Sequence, residues 1–441
     1  MGKQSLLILI LCIVVTTANA QKAPLSFKQV DSTSYALYLK QDWKSLITLG
    51  EKSRAEGIDF YYLKVRMGIA YHKEGKMLRA IKFLEAANKI DSYDVIVQEY
   101  LYWAYRFGGL ALESRLFYTK MSKSLQDKIK LDLPFVTAID FSVLATNNLD
   151  YNKLLEIAEA SELGDIRYFT ENYQLFSLGM NHPLSKKVNF YQRISVLPTA
   201  SFQQENVSGE LVNKAYKGTE TRYYANVTIA LGNRLYLDTY FNILFGKYDN
   251  LSVDNELSGR GPRGGITTST SPTVRYTNFV FGGALTKASY YVRNTVNVSV
   301  SNLNGYNQFQ GGYTLSLYPL GSTLLVPFGA IQYQNENSNS NLVYTGGLTL
   351  NTKKMSITGY GNIGDIRNFI ANNGAIIYNQ TETALSEYGL TLQFYTKSAI
   401  VKIGYSFMEM EDNYSNQNQE ITSKVFNFNQ QNIIAGIIWE F

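Results

Sequence analysis

The chain of 441 residues contains a single cysteine, Cys12, and only two histidines, His72 and His182. Cys12 lies inside the apolar stretch from Leu6 to Val15, so the remainder of the chain has no thiol. That excludes disulfide staples, thiolate catalysis and cysteine-bound metals. Two histidines without cysteine partners leave no ligand set for structural zinc, and no phosphate loop or dinucleotide glycine pattern follows a strand and opens a helix. Neither a cofactor nor a metal is expected. Charge is scarce as well, at 17% of residues, where soluble domains carry about 25%. Part of the surface is therefore expected to face something other than water. The net charge of +5 is too small over this length to indicate nucleic acid. Beyond residue 20 no apolar run reaches the length of a membrane helix, so helical spans do not explain the missing charge. What the chain does have is 14% aromatics with 34 tyrosines, and much Asn, Thr and Gly, the composition of a transmembrane β-barrel.

The first residues, MGKQSLLILILCIVVTTANAQ, combine Lys3, the short apolar run and small residues at Ala18 and Ala20. These are the three parts of a secretory signal, with cleavage expected after Ala20. Leu11 precedes Cys12 where a lipoprotein signal would have a small residue, which argues against a lipid anchor. Three segments are expected: a signal peptide over 1–20, a periplasmic helical domain over 21–130 and a barrel over 131–441.

Residues 31 to about 130 carry helical periodicity. The clearest unit is YYLKVRMGIAYHKEGKMLRAIKFLEAANKIDS, residues 61–92, with Gly68 and Tyr71 on a first helix, Gly75 at a turn, and Ala80, Leu84 and Ala87 on a second. Small residues at Gly68 and Ala80 allow two helices to approach closely while larger ones fill the groove between repeats. The unit resembles a tetratricopeptide repeat, apart from Lys64 in place of a large aromatic and Ser92 in place of the closing proline. A shift of 34 residues maps Ala80 onto Leu46 and Ser114, Gly68 onto Tyr102 and Tyr71 onto Tyr105, giving two degenerate neighbours. A helical bundle that mimics the repeat is the alternative. A short stack of either kind offers a surface for protein binding and no chemistry.

Pro134 marks the boundary, because the residue before a proline is driven out of the helical region. Beyond it, segments of about ten residues alternate with period two, as in barrel strands. In YYVRNTVNVSVSN, Val296, Val298 and Val300 fall on one face, with Arg293, Asn297 and Ser299 on the other. RLYLDTYFNILFG separates Leu237, Phe241 and Phe245 from Tyr236, Asp238, Tyr240 and Asn242. Alternation alone also fits a sandwich. Short turns at HPLSKK, LGNR, TKAS, PLGS, NTKK and TKSA, interleaved with long polar stretches such as GKYDNLSVDNELSGRGPRGGITTSTSP and NENSNSN, point to a barrel. Six tight periplasmic turns with both chain ends on that side predict about 14 antiparallel strands, with 12 or 16 as alternatives. The fold class expected is thus α+β in two parts, a short tetratricopeptide-like α-solenoid followed by a transmembrane antiparallel β-barrel.

The final residues, NIIAGIIWEF, put Ile433, Ala435, Ile437, Trp439 and Phe441 on one face, as in a lipid-facing closing strand held by aromatics at the interface. Gly436, Trp439 and Phe441 resemble the C-terminal sorting signal of bacterial outer-membrane proteins, although that pattern prefers a polar residue at Ile434. The resemblance implies outer-membrane lipid and the barrel assembly machinery as partners.

A periplasmic helical repeat joined to a C-terminal barrel resembles the YaiO-like outer-membrane proteins and, more distantly, exopolysaccharide exporters and surface lipoprotein translocators. The layout covers most of the chain, while matching residues are confined to 61–92 and 434–441. The resemblance implies an outer-membrane conduit or export component for a glycan or another polymer, with the helices docking a periplasmic protein or the glycan cargo. Its alternative is an assembly scaffold or lipoprotein translocator in which the barrel is an anchor or gate. Strand parity places Arg222, Tyr224, Asp238, Tyr240, Arg293 and Lys402 in the lumen, where they either contact cargo or merely fill the interior. The loop with Arg260 and Arg263 either folds inward as a constriction or remains at the surface. An outer-membrane hydrolase is poorly supported, because His72 reads as an exposed helix residue and His182 sits at a periplasmic turn.

Overall fold

A computed structural model describes residues 25–156, 166–207, 210–249, 251, 272–336, 339–415 and 421–441. The expected signal peptide and the loop holding Arg260 and Arg263 lie outside the described residues. Helices come first: α1 Phe27–Leu39, α2 Trp43–Ala55, α3 Tyr61–Lys73, α4 Met77–Ile90, α5 Val95–Phe107, α6 Ala111–Tyr118 and α7 Lys123–Ile129. Ser26 and Gln29 form a capping box at α1, while Asp42 and Asp94 cap α2 and α5, satisfying backbone donors that a helix start leaves open.

The first six helices form three hairpins. Their leading helices begin at Phe27, Tyr61 and Val95, and their returning helices at Trp43, Met77 and Ala111, each 34 residues after the last. The hairpin turns use left-handed backbone at equivalent places, with φ of 56° at Gln41, 74° at Gly75 and 76° at Gly109. Tyr71, Ala80, Leu84 and Ala87 are fully buried in one core with Met67 and Leu101. Gly68 is obligatory for a simple reason: a Cβ there would stand 2.6 Å from Leu84 Cγ. Gly68→Val is expected to cost about 1–3 kcal/mol through overpacking. It should lower the melting temperature of the helical circular-dichroism signal and leave the heat resistance of the barrel unchanged.

His72 departs from the sequence reading. It is half-buried, its ring edge-on to Tyr100 at 5.2 Å and 6.5 Å from Phe107. Burial pushes its pKa below the ordinary imidazole value. The helical stripe around it is aromatic, so a position that periodicity alone marks as outward is covered by its neighbours.

The barrel strands are β1 Ala138–Asn148, β2 Ile166–His182, β3 Val188–Val207, β4 Glu210–Gly232, β5 Leu235–Asp249, β6 Thr273–Ala288, β7 Val292–Ser301, β8 Gln308–Leu317, β9 Leu325–Glu336, β10 Asn339–Asn351, β11 Met355–Ile363, β14 Thr383–Tyr395, β15 Ala399–Ser415 and β16 Ile421–Glu440. Two short strands, β12 Ile370–Ala371 and β13 Ile376–Ile377, form a separate hairpin. Each barrel strand pairs with its neighbours in antiparallel fashion, and β1 closes on β16 from Ala138↔Glu440 to Asn148↔Gln430. The barrel is closed and 14-stranded, and closure leaves no free edge.

Parity decides which residues face out. Val296, Val298 and Val300 are 55%, 51% and 46% exposed, whereas Asn297, Ser299 and Ser301 between them are buried. Phe241 and Phe245 point outward and Tyr236, Tyr240 and Asn242 inward. An apolar outer face is what hydrocarbon requires of a spanning barrel. The six short connections lie at the end where β1 begins and β16 finishes. In one of them, Gly232, Asn233 and Arg234 have φ of 91°, 52° and 59°, the left-handed backbone of a two-residue hairpin. The polar stretch NENSNSN is not a long loop. Strand structure runs to Glu336 and resumes at Asn339, which pair with each other. Polar residues support a ladder there because the backbone hydrogen bonds do not depend on the side chains.

Candidate functional site

The lumen is lined by short polar side chains and tyrosines, and a loop of 19 residues, 364–382, turns back into it between β11 and β14. Asn368, Asn372, Asn373 and Gly374 take φ of 57°, 50°, 52° and 78°, a region that Asn and Gly enter at little cost. The wall holds the loop's backbone. Gln310 donates to Ile370 O at 2.6 Å and accepts from Ile370 N–H at 3.0 Å. Tyr224 OH donates to Asn373 O at 2.9 Å, Asn242 to Gly374 O at 3.0 Å, Arg222 Nη1 to Ile377 O at 3.2 Å, and Arg193 to Ala375 O. Loop side chains reach outward in return: Tyr378 OH donates to Glu387 at 2.6 Å and Asn379 to Glu220 at 3.0 Å. At the end away from the short turns, Ile366 and Phe369 pack with Phe169, Met408, Met410 and Phe428, joined by Leu154 of the short helix α8, Tyr151–Glu156. The loop is therefore both hydrogen-bonded and wedged by apolar contact.

Between this loop and the opposite wall remains a cavity of about 240 Å³. Ser142, Ser177 and Ser195, with Arg193 and Lys402, line it nearer the short turns. Deeper in, Glu220, Glu382 and Glu387 line it beside the rings of Tyr173, Tyr276 and Tyr360.

The helices lie against the short-turn end. At the start of α4 the backbone N–H groups of Leu78 and Arg79 donate to Gly321 O in the β8–β9 turn, at 3.1 and 3.2 Å. Two orphan donors of a helix N-terminus are satisfied by the barrel. Glu85 accepts from Tyr105 OH and Tyr290 OH at 2.6 Å each and pairs with Arg234 at 3.2 Å. Arg234 lies 4.2 Å over the Tyr290 ring, and its backbone N–H donates to Glu113 at 2.7 Å. Lys186 of the β2–β3 turn sits over Tyr118 at 5.4 Å. Four of the six short turns thus touch helices. Ala230, Tyr236, Ala288 and Tyr318 of the barrel belong to the same buried core as the helices.

Glu113 is 7% exposed, and burial raises its pKa above the ordinary carboxylate value. A raised native value means that the docked state binds the proton more tightly. The stabilisation is full below the ordinary carboxylate range and fades as pH rises through the raised value. Glu113→Gln keeps an acceptor for Arg234 N–H and removes the titration. In that variant, helical melting temperature plotted against pH should lose the fall that wild type shows above the carboxylate range.

Arg222, Tyr224, Asp238, Tyr240, Arg293 and Lys402 all face the lumen side of their strands. The structure brings Arg222, Tyr224 and Tyr240 together on the inserted loop, with Tyr240 beside Gly374. It keeps the other three apart from it: Asp238 accepts from Thr228 at 2.6 Å, Arg293 lies near the short turns on β7, and Lys402 lines the cavity. Gly436 faces inward, while Trp439 and Phe441 are 43% and 71% exposed on the outer face. Sequence reasoning missed loop 364–382 and its acidic partners Glu220 and Glu387. The one local signal was the run of left-handed formers NNG at 372–374, which marks a tight turn and says nothing about where the loop folds.

No protein-family model and no curated protein matches the chain. Among solved structures it is similar to a TodX deltaS2S3 mutant monoaromatic hydrocarbon channel, with 7% identity over 70% of this chain and 91% of that one and a TM-score of 0.45. It is also similar to a FadL homologue of Pseudomonas aeruginosa, with 9% identity over 69% and 90% and a TM-score of 0.43. A third is the translocator domain of the autotransporter NalP from Neisseria meningitidis, with 11% identity over 76% and 98% and a TM-score of 0.31. At these scores the likeness carries no argument about cargo or mechanism.

Proposed function

We propose that the chain is an outer-membrane conduit whose lumen is gated by loop 364–382, passing a glycan or another polymer, with the N-terminal helices in the periplasm. The observation that carries this reading is the polar, tyrosine-lined cavity running beside an inserted loop held largely by hydrogen bonds to its backbone. Tyrosine faces can stack on sugar rings while hydroxyls and amides exchange hydrogen bonds with them. The apolar outer belt supports a membrane location. The 34-residue spacing of the helical hairpins supports the tetratricopeptide-like reading, and with it a YaiO-like layout and the docking of a periplasmic partner or cargo. Barrel assembly machinery, through Gly436, Trp439 and Phe441, belongs to the same reading, and no catalysis is assigned to the chain.

A second reading, an assembly scaffold in which the barrel is an anchor or gate, draws on the helices lying against the short-turn end. Single-channel recording in planar bilayers separates the two, with the full mature chain and with residues 21–130 removed. Openings that added oligosaccharide blocks are expected for the conduit, more frequent without the helices. A heat-resistant barrel that passes no current in either form would move the assignment to the scaffold.

A further inference from the structure

Within the proposed conduit, and resting on that reading, we propose that the part of the lumen cavity nearer the short turns binds the carboxylate of an acidic sugar, with Lys402 and Arg193 receiving it. The argument is a count of donors and acceptors around the cavity. Three carboxylates line it, and all six of their oxygens are engaged. Glu220 accepts from Arg222 Nε at 2.6 Å on one oxygen, and from Tyr276 OH at 2.6 Å and Asn379 at 3.0 Å on the other. Glu382 accepts from Thr170 N–H at 2.6 Å and Thr381 OH at 2.7 Å. Glu387 accepts from Tyr360 OH at 3.0 Å on one oxygen, and from Tyr378 OH at 2.6 Å and Asn362 at 2.9 Å on the other.

The cations are not matched in the same way. Arg222 is held by Glu220, and Lys247, which also lines the cavity, is an exposed residue on the outward side of β5. The Lys402 ammonium has no hydrogen-bond or ion-pair partner among the described residues. Arg193 gives Nη2 to Ala375 O and lies 5.4 Å over the Tyr224 ring, but its buried Nε has no partner. A buried donor without a partner is costly, and an anion drawn to Lys402 and Arg193 would relieve that cost.

Position along the strands separates the two kinds of group. Lys402 lies three residues into β15 from the short-turn end and Arg193 five into β3, whereas Glu220 and Glu387 lie deeper in β4 and β14. Across β15, β16 and β1, Lys402, Gly436 and Ser142 are in register, and Ser142 lies close over the bare Gly436 backbone, where a Cβ would stand 3.0 Å from Ser142 Cβ. Across β1, β2 and β3, Asp140, Gly179 and Arg193 are in register, and the Asp140 carboxylate accepts from Tyr191 OH at 2.9 Å. Asp140 offsets one of the two positive charges and leaves the other.

Around this point the hydroxyls of Ser142, Ser177 and Ser195 line the cavity, the latter two 2.8 Å apart. A charged donor pair beside a cluster of hydroxyls suits a carboxylate carried on a hydroxylated ring. A bare anion would use only the charges, and a neutral sugar only the hydroxyls.

The test is titration calorimetry of the full mature chain in detergent with trigalacturonate, maltotriose and acetate. Trigalacturonate is expected to bind at least tenfold more tightly than either control. Lys402→Gln should abolish that preference, and Lys402→Arg should restore most of it. Equal binding of trigalacturonate and maltotriose, equal binding of trigalacturonate and acetate, no binding of trigalacturonate, or an unchanged preference in Lys402→Gln would each overturn the proposal. Correct folding of the variants is read from heat-resistant gel migration, and Ser177→Ala provides a second, milder variant expected to weaken only the sugar-dependent part. Bilayer recordings on the same samples keep the two readings distinct. Current without preference for trigalacturonate sinks the carboxylate site and leaves the conduit. Trigalacturonate binding without current sinks the conduit and leaves the site.

Discussion

Replacing residues 366–381 with a short Gly-Ser linker should turn the barrel into a steadily conducting pore, with current raised by an order of magnitude or more over the full chain, since the width and polarity of the constriction set conduction. The strands on either side survive this change. Ile363 of β11 and Ser386 of β14 are paired in register, so a few residues bridge them. The ladder does not depend on the loop, whereas the blockage does: Tyr224, Asn242, Gln310 and Arg222 reach across the lumen to its backbone. A linker variant that folds and conducts no better than the full chain would show that the loop is not the barrier.

The second large effect lies at the joint between helices and barrel. Glu85→Ala removes one carboxylate that serves Tyr105, Tyr290 and Arg234 at once. Arg234 and Glu85 are 16% and 18% exposed, so the pair is sheltered from water. Removing one member of a buried pair costs about 3–5 kcal/mol, largely because the other charge stays behind. The folded helices remain, but their hold on the β4–β5 and β6–β7 turns is lost, and a difference of 3 kcal/mol corresponds to about a hundredfold change in the undocked population. Trypsin cleavage after Arg234, which the docked helices cover, should accelerate accordingly. Tyr290→Phe, which removes a single hydrogen bond, should cost about 1 kcal/mol. Equal cleavage rates for wild type and Glu85→Ala would mean that the interface is held elsewhere, by the Gly321 contacts or the shared apolar core.

The barrel was legible because its signals are local and repeated. Alternation of Val and Asn or Ser along β7, and of Phe and Tyr along β5, is written into neighbouring residues, and the structure turns each face as the parity requires. The short turns set the strand count through their number. The 34-residue rhythm was legible in the same way, since Gly75 and Gly109 stand at equivalent turns. His72 was misread because helical periodicity gives the direction of a side chain but not the size of the rings beside it.

The inserted loop was not legible, for a different reason. Residues 364–382 are rich in Asn, Gly and Ile, and the same composition suits a surface loop. Their position depends on Gln310, Asn242, Tyr224 and Arg222, which come from three other strands 50 to 160 residues away. The docking of the helices is equally non-local, resting on Glu85 against Tyr290 and Arg234. By itself, then, the sequence determined a helical segment with a 34-residue rhythm followed by about 14 strands with a polar inside and an apolar outside, because those properties are set by neighbours along the chain; the structure fixed the count at 14. Only the tertiary structure decided what occupies the lumen, how far it is blocked, which cations among the described residues face the cavity without a carboxylate partner and how the helices meet the short turns. Each of these depends on which distant side chains share a small enclosed space, and no local pattern encodes that.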